Sequence, residues 1–210
     1  MTDLDIPTVD RLLTTTRAVR KRLDPSRPVP EATITECLRI AVQAPSAADS
    51  QSWRWLVLTS PEVKQDVGAI FRRASEPVRG FLANAEDEAD KRRLSSSLYL
   101  VDHLHEMPVL VLACVVDEEV DGQHLPPLAH YGSIFPAIWS FQLALRSRGL
   151  GSTPMLLPDP DAVVELLGIP ENVEPASLIP VAYYTGEGFK PAKRRPVEEI
   201  TYWNRWGETA

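Results

Sequence analysis

The chain reads as an α+β protein, and three observations carry that assignment. Helical patterns precede and surround a few strand patterns, with no regular βαβ alternation. The run Val109–Val116 is apolar throughout, as a central strand buried on both faces must be. The segment Ser133–Arg148 is apolar nearly all round, so as a helix it must be buried in the core or against a second subunit. At 210 residues the chain suffices for one domain, 1–210, with a sizeable core.

The elements follow in order. Val9–Thr16 is a short helix, and Pro28-Val29-Pro30 interrupts the chain after it. Glu31–Ala44 is a helix with Ile34, Leu38, Ala41 and Ala44 on one face, and Pro30 suits its first turn, where an N–H has no partner anyway. Pro45 stops it, Ser46-Ala47-Ala48-Asp49-Ser50 is a small-residue turn, and Trp53–Thr59 is a strand. Pro61 restarts helix at Val63–Arg73; the charged stretch Glu76–Arg93 and then Ser95–His105 continue in helix. After the strand at 109–116, Asp117–Pro127 is a polar loop. Ser133 is the expected N-cap of the apolar helix, with Pro136 in its first turn and Gly149 at its end. Gly151–Leu157 is extended, and Asp159–Leu167 is a helix with Asp159 as cap, Pro160 first and Gly168 past its end. Leu178–Thr185 is the last strand. The tail concentrates Tyr202, Trp203 and Trp206, which implies docking on its own domain or on a partner, because free chain ends fray.

Composition narrows the function. The formal net charge of −7 argues against nucleic-acid binding. No apolar run reaches the roughly 20 residues of a membrane-spanning helix. The start, MTDLDIPTVD, lacks a signal pattern, so the expected location is the cytoplasm, away from membranes. Cys37 and Cys114 have no metal-type spacing and read as buried small hydrophobes. Within this acidic chain two segments are basic, Arg17–Arg22 and Lys190–Arg195, as if folding gathered them around one anion.

Protein-borne catalytic motifs are missing: no G-x-x-x-x-G-K-S/T, no H-E-x-x-H, no G-x-S-x-G. Gly149-Leu150-Gly151-Ser152-Thr153-Pro154 lacks the third glycine of a dinucleotide fingerprint and follows a helix. His103, His105, His124 and His130 form no ligand pattern, so no metal is expected. A chain of this kind suits a redox cofactor that brings its own chemistry.

Four segments resemble the FMN-dependent nitroreductase family in order. Thr16-Arg17-Ala18-Val19-Arg20-Lys21 is similar to its R-S/A-x-R element, and Ala44-Pro45-Ser46-Ala47-Ala48-Asp49-Ser50-Gln51-Ser52-Trp53 to A-P-S-x-x-N-x-Q-x-W. Phe135-Pro136-Ala137 through Gly149-Leu150-Gly151-Ser152 resembles the long central helix and the G-L-G after it. Pro191-Ala192-Lys193-Arg194-Arg195-Pro196 resembles a basic C-terminal element. The likeness is greatest to short actinobacterial-type NAD(P)H nitroreductases, which share the TTTR-x-VRKRLD start and the W-S-F-x-L-A-L-R-S-R-G-L-G-S run.

The resemblance implies a small, mainly antiparallel sheet wrapped by helices, in an intertwined homodimer with FMN at the interface. The Ser133–Arg148 helix would lie in the dimer core and the tail 196–210 would wrap the partner. Arg17, Arg20, Lys193 and Arg195 would bind the phosphate by charge-assisted hydrogen bonds. Ala18 belongs to the same cofactor-binding element, in place of a frequent serine, with one fewer donor. Ser46, Asp49 and Gln51 would line the ribityl chain and flavin edge, and Thr153, Met155 and Leu156 would present backbone groups near N5. Asp49 stands where the family has Asn, and an ionised carboxylate accepts hydrogen bonds without donating. The implied activity is hydride transfer from NADH or NADPH through flavin N5 to an electron-poor small molecule such as a nitroaromatic or quinone. Ene reduction, dehydrogenation and dehalogenation, or FMN storage or sensing without turnover, are the alternatives.

Overall fold

The computed structural model describes residues 4–120 and 122–209; Asp121 of the polar loop and Ala210 at the tail's end lie outside them. In chain order the elements are α1 (Ile6–Thr15), β1 (Leu23–Asp24), α2 (Glu31–Ala41), β2 (Trp53–Leu58), α3 (Pro61–Ala74), α4 (Glu76–Ala83), α5 (Glu88–Asp102), β3 (Val109–Val116), β4 (Glu119–Val120), β5 (Gln123–His124), α6 (Pro127–Ser147), β6 (Leu150–Ser152), α7 (Pro160–Leu167) and β7 (Val173–Tyr184). They fall into two compact units, one of residues 16–187 and a smaller one of residues 4–15 with 188–209.

The larger unit is α+β. Its sheet runs β1-β7-β3-β2 with β6 also on β7, and every pairing is antiparallel. All eight residues of β3 are buried. Val109, Val111, Ala113 and Val115 share a core with Ile34 and Cys37 of α2 and with Ile134, Ala137, Ile138, Phe141 and Leu145 of α6. Side chains alternate along a strand, so Leu110, Leu112 and Cys114 fill the other face. Burial pushes the Cys114 thiol up to about 11 and raises that of Cys37 too, which makes both inert packing residues.

The structure revises three sequence expectations. First, α6 starts at Pro127, six residues before Ser133, because Pro126-Pro127 opens the helix. Ser133 is therefore no N-cap: its hydroxyl donates to Ala129 O, one turn back, at 2.7 Å. Pro136 sits inside the helix, where its missing N–H leaves the Gly132 carbonyl without the usual partner. Second, the charged stretch breaks at 84–87, where Asp87 caps α5 by accepting from Ala89 N and Asp90 N; helix then runs on through Arg93–Ser95. Third, β7 begins at Val173, not Leu178. Pro175 concealed it, and the register slips between Ala113 and Cys114 opposite that proline, the irregularity by which a sheet accommodates proline. The polar loop also contains the β4–β5 hairpin.

In the smaller unit, α1 leaves Ile6, Val9 and Leu13 exposed. The tail folds back locally, with Trp203 N–H donating to Glu208 O at 2.7 Å and the Tyr202 and Trp206 rings 4.8 Å apart. Trp206 is nevertheless 90% exposed and Trp203 58%.

Candidate functional site

The larger unit carries two of the sequence-derived segments on its sheet. Val19 N–H donates to Ser152 O at 3.0 Å, and Ala18 pairs with Ser152 in a parallel bridge, which lays Thr16–Arg20 along β6. Gly151 makes this approach possible: a Cβ there would meet Val19 Cβ and Leu23 Cδ2 at 3.1 Å. Gly149, at φ 76°, turns the chain from α6 into β6.

The basic cluster divides by what each cation touches. Arg22 donates through Nε to Thr185 O at 2.7 Å and through Nη2 to Glu187 O, and lies over the Tyr184 ring. Lys21 donates to Ser95 Oγ at 3.3 Å. These two hold the fold together. Arg17 and Arg20 are half-buried, and their guanidinium groups have no hydrogen-bond or carboxylate partner among the described residues. Desolvation lowers the pKa of Arg20, yet a guanidinium stays charged at neutral pH, so its charge lacks a counter-ion. An anionic ligand would supply one.

Past Ser152, Thr153 is buried and Met155 pairs with Leu178: its N–H donates to Leu178 O at 2.8 Å, and its carbonyl accepts from Leu178 N and Ser177 Oγ. The expectation that Met155 offers backbone groups to a ligand is therefore not met, because the sheet uses them. Thr153 and Leu156 are not committed in this way, and the Leu156 side chain is exposed.

The Ser46–Gln51 turn is built differently. Ala48, Asp49 and Gln51 adopt left-handed φ of 49°, 49° and 47°. Asp tolerates this conformation better than Ala or Gln, for which it costs about 1–2 kcal/mol each. Local bonds hold the strain: Ala47 N–H donates to Ser133 Oγ at 3.0 Å, Asp49 N–H to Ser46 O, and Gln51 N–H to Ser46 Oγ. The Gln51 amide donates to Asp49 Oδ1 at 3.0 Å, so a neighbour within the turn satisfies the carboxylate that replaces the family's Asn. The buried hydroxyls of Ser50 and Ser52 have no partner among the described residues, and buried polar groups seldom go without one.

Helix α6 sets the distance between these parts. Ser133 holds the turn, and Gln142 Nε2 donates to Ser152 Oγ at 3.3 Å. Nine residues separate the two anchors, about 13.5 Å of axis and two and a half turns. The strained turn and the Arg17–Arg20 segment thus sit on opposite faces of α6. Tyr131 and Phe135 lie a nearly whole number of turns from Gln142 and share its face. On that side Leu128, Phe135 and Trp139 form an exposed apolar stripe.

Beside this stripe opens a cavity of about 1,090 Å³ between the start of α6, residues 156–164 and the start of β7. Its wall includes Tyr131, Phe135 and Leu156, and its rim includes Asp117, Asp161, Glu171 and Glu174. Tyr131 OH donates to Glu174, and His124 Nδ1 lies 3.0 Å from Asp117 Oδ1, which raises the His124 pKa. No group of His, Cys, Asp and Glu suited to a metal ion occurs among the described residues.

The sequence announced Arg17, Arg20 and the turn. It offered Gly151 only as part of a G-L-G and Ser133 only as a cap, and it showed neither the positioning roles of Gly151, Ser133 and Gln142 nor the cavity residues, which come from four separate segments. A glycine after G-L and a buried serine with two jobs carry no local signal. Lys193 and Arg195 lie exposed in the smaller unit.

Comparison with known proteins agrees with this architecture. A model of the Nitroreductase family matches residues 13–183. The chain is 28% identical over 207 residues to an NADH dehydrogenase of Thermus thermophilus, covering 84% of this chain and 87% of that protein. It is 29% identical over 150 residues to an iodotyrosine deiodinase of Thermotoga neapolitana, covering 70% and 73%. A crystal structure of oxidized iodotyrosine deiodinase bound to FMN and 3-iodo-L-tyrosine superposes with a TM-score of 0.71 at 23% identity, covering 95% of this chain and 98% of that one. The chain belongs to the Nitroreductase family.

Proposed function

We propose that this protein is a homodimeric, FMN-dependent oxidoreductase that takes reducing equivalents from NADH or NADPH and delivers them to an electron-poor small molecule such as a nitroaromatic or quinone. The single observation that carries the cofactor assignment is the pair Arg17 and Arg20, half-buried and without an anion of the protein's own. A phosphate monoester, mostly dianionic at neutral pH, suits two guanidinium groups. The relatives point the same way: one is named an NADH dehydrogenase, and a structural neighbour is bound to FMN.

FMN, when bound, supplies the redox chemistry, which the protein's own side chains lack. The chain's residues bind, orient and exclude water. Arg17 and Arg20 hold the phosphate, with the backbone of Ala18 between them. The backbone groups of Thr153 and Leu156 face the ring. Ser46, Asp49 and Gln51 contact the ribityl chain and ring edge, where the free hydroxyls of Ser50 and Ser52 add acceptors and donors. Lys193 and Arg195 are proposed as further phosphate cations on the resemblance of their segment.

Two features favour a second copy of the chain. Because α6 holds the 46–51 turn and the Arg17–Arg20 segment on opposite faces, the turn of one subunit serves the flavin held by the arginines of the other. The exposed Leu128 and Trp139, with the tail's Trp203 and Trp206, are apolar surface that a partner would cover. The tail 196–210 is thus assigned to wrapping the partner. No helix among the described residues is long and apolar enough to cross a membrane, and we place the protein in the cytoplasm.

The test is an absorption spectrum of the purified protein, before and after anaerobic addition of NADH and then NADPH. Flavin bands that bleach with either nucleotide are expected and name the donor. A colourless protein that takes up no added FMN would overturn the assignment. Bound flavin that neither nucleotide reduces would indicate storage or sensing instead.

A further inference from the structure

The rim carboxylates of the large cavity are not all used by the protein. Asp117 faces His124, and Glu174 accepts from Tyr131 OH. Asp161 and Glu171 have no hydrogen-bond or ion-pair partner among the described residues, and neither Lys nor Arg lines the cavity. Beneath this rim the wall is apolar and aromatic, with Tyr131 and Phe135 stacked at 6.0 Å between ring centroids.

A second observation is independent of charge. His130, on the first turns of α6, lines the cavity and is 8% exposed, and both its ring nitrogens lack a hydrogen-bond partner among the described residues. Its Nε2 is 3.7 Å from Asp117 Oδ1, beyond hydrogen-bond reach. A buried imidazole has one donor and one acceptor to satisfy, and a polar group of a ligand in the cavity would satisfy them.

Position links the cavity to the site above. Along β7, Ser152 pairs with Val181 and Met155 with Leu178, while Val173–Ala176 line the cavity. The order from the arginines through Thr153–Leu156 to the cavity is therefore one continuous direction, about 20 Å over six strand residues. Helix α6 repeats it: Phe135 and Tyr131 lie two and three turns before Gln142 on the same face. A flavin with its phosphate at Arg17 and Arg20 and its ring beside Thr153 and Leu156 would have this cavity beyond its ring end.

We propose that this cavity receives the electron acceptor and that the acceptor is a small aromatic compound bearing a positive charge, such as a protonated amine. The aromatic walls take the ring and add cation–π attraction, the carboxylate rim takes the charge, and His130 takes a polar substituent. The same rim disfavours anionic acceptors. The inference rests on the flavin assignment, since only that makes the cavity's ligand an acceptor.

Three 4-substituted nitrobenzenes of similar size but different charge test it on the flavin-loaded protein: 4-nitrobenzylamine, 4-nitrobenzyl alcohol and 4-nitrobenzoate. Dissociation constants come from calorimetry and kcat/KM from steady-state reduction. The amine is expected to bind about 10-fold more tightly than the alcohol and about 100-fold more tightly than the benzoate, each decade being about 1.4 kcal/mol. Asp161→Asn with Glu171→Gln is expected to shrink the amine's advantage several-fold, with flavin content reporting that the variant is folded. Equal binding of the three probes, preference for the benzoate, an unchanged preference in the double variant, or no binding of the amine because a second copy fills the cavity, would each overturn the proposal. These outcomes are separate from failure of the flavin assignment, which the absorption spectrum reports before any probe is added.

Discussion

The Arg17–Arg20 segment and the Ser46–Gln51 turn serve the same proposed ligand but are stabilised in opposite ways. The first is a segment laid along β6 by one parallel bridge, free of left-handed residues and made possible by the missing side chain of Gly151. The second packs three left-handed non-glycine residues into four positions and is held by Ser133 of α6. Charge placement needs only a flat edge that keeps two guanidinium groups apart from carboxylates. A turn proposed to reach across a subunit interface needs a fixed shape, and strain locked by hydrogen bonds supplies it. One half of the candidate site is thus a property of the sheet, and the other a property of a loop pinned to the central helix.

Breaking the sheet side has the largest expected effect. Arg17→Ala with Arg20→Ala removes two charge-assisted contacts, about 1.5–3 kcal/mol each, and should weaken FMN binding by about 10²–10⁴ while the apoprotein melts as before. Arg22→Ala should do the reverse, because its bonds run to Thr185 and Glu187: stability falls by about 1 kcal/mol and FMN affinity holds. Fluorescence titration with FMN and urea unfolding separate the two. Gly151→Val drives methyl groups into Val19 and Leu23 and should cost about 1–3 kcal/mol, with loss of flavin as the segment lifts away.

The turn side gives a smaller effect of opposite sign. Ala48→Gly relieves the left-handed backbone and should stabilise the apoprotein by about 1 kcal/mol, roughly 2–4 °C in Tm. A destabilised variant would show that Ala48 is not strained there.

The smallest effect lies at the cavity rim. The carboxylate of Asp117 raises the His124 pKa above its usual value of 6.5. The folded state therefore favours protonated His124. This contribution is fully present below pH 6.5 and is lost as pH rises through the higher folded pKa. Asp117→Asn should move the His124 imidazole midpoint, followed by NMR, back toward the usual value. An unmoved midpoint would place the cause elsewhere.

The sequence showed the parts of the site that are chemical and hid those that are geometric. Arg17, Arg20 and the A-P-S turn were visible because residue type and spacing are local. In sequence Ser133 looks like the cap that starts α6, and only tertiary structure shows its hydroxyl holding Ala47 and Ala129. The first half of β7 was hidden by Pro175, which a bulge accommodates. Family position points Met155 at the ligand, but its backbone belongs to the sheet. The cavity could not be read at all, since its wall is assembled from segments far apart in the chain.

In the proposed site one flavin is held by the arginines of one subunit and the turn of the other. Mixing two flavin-poor variants tests it directly, Arg17→Ala with Arg20→Ala in one chain and Ser46→Ala with Asp49→Ala and Gln51→Ala in the other. After co-expression and isolation of the mixed dimer, flavin is measured per dimer. A shared site leaves one pocket built wholly from intact residues, so about one FMN per mixed dimer is expected. A mixed dimer as flavin-poor as either parent would mean that each chain builds its site alone, and would contradict the account.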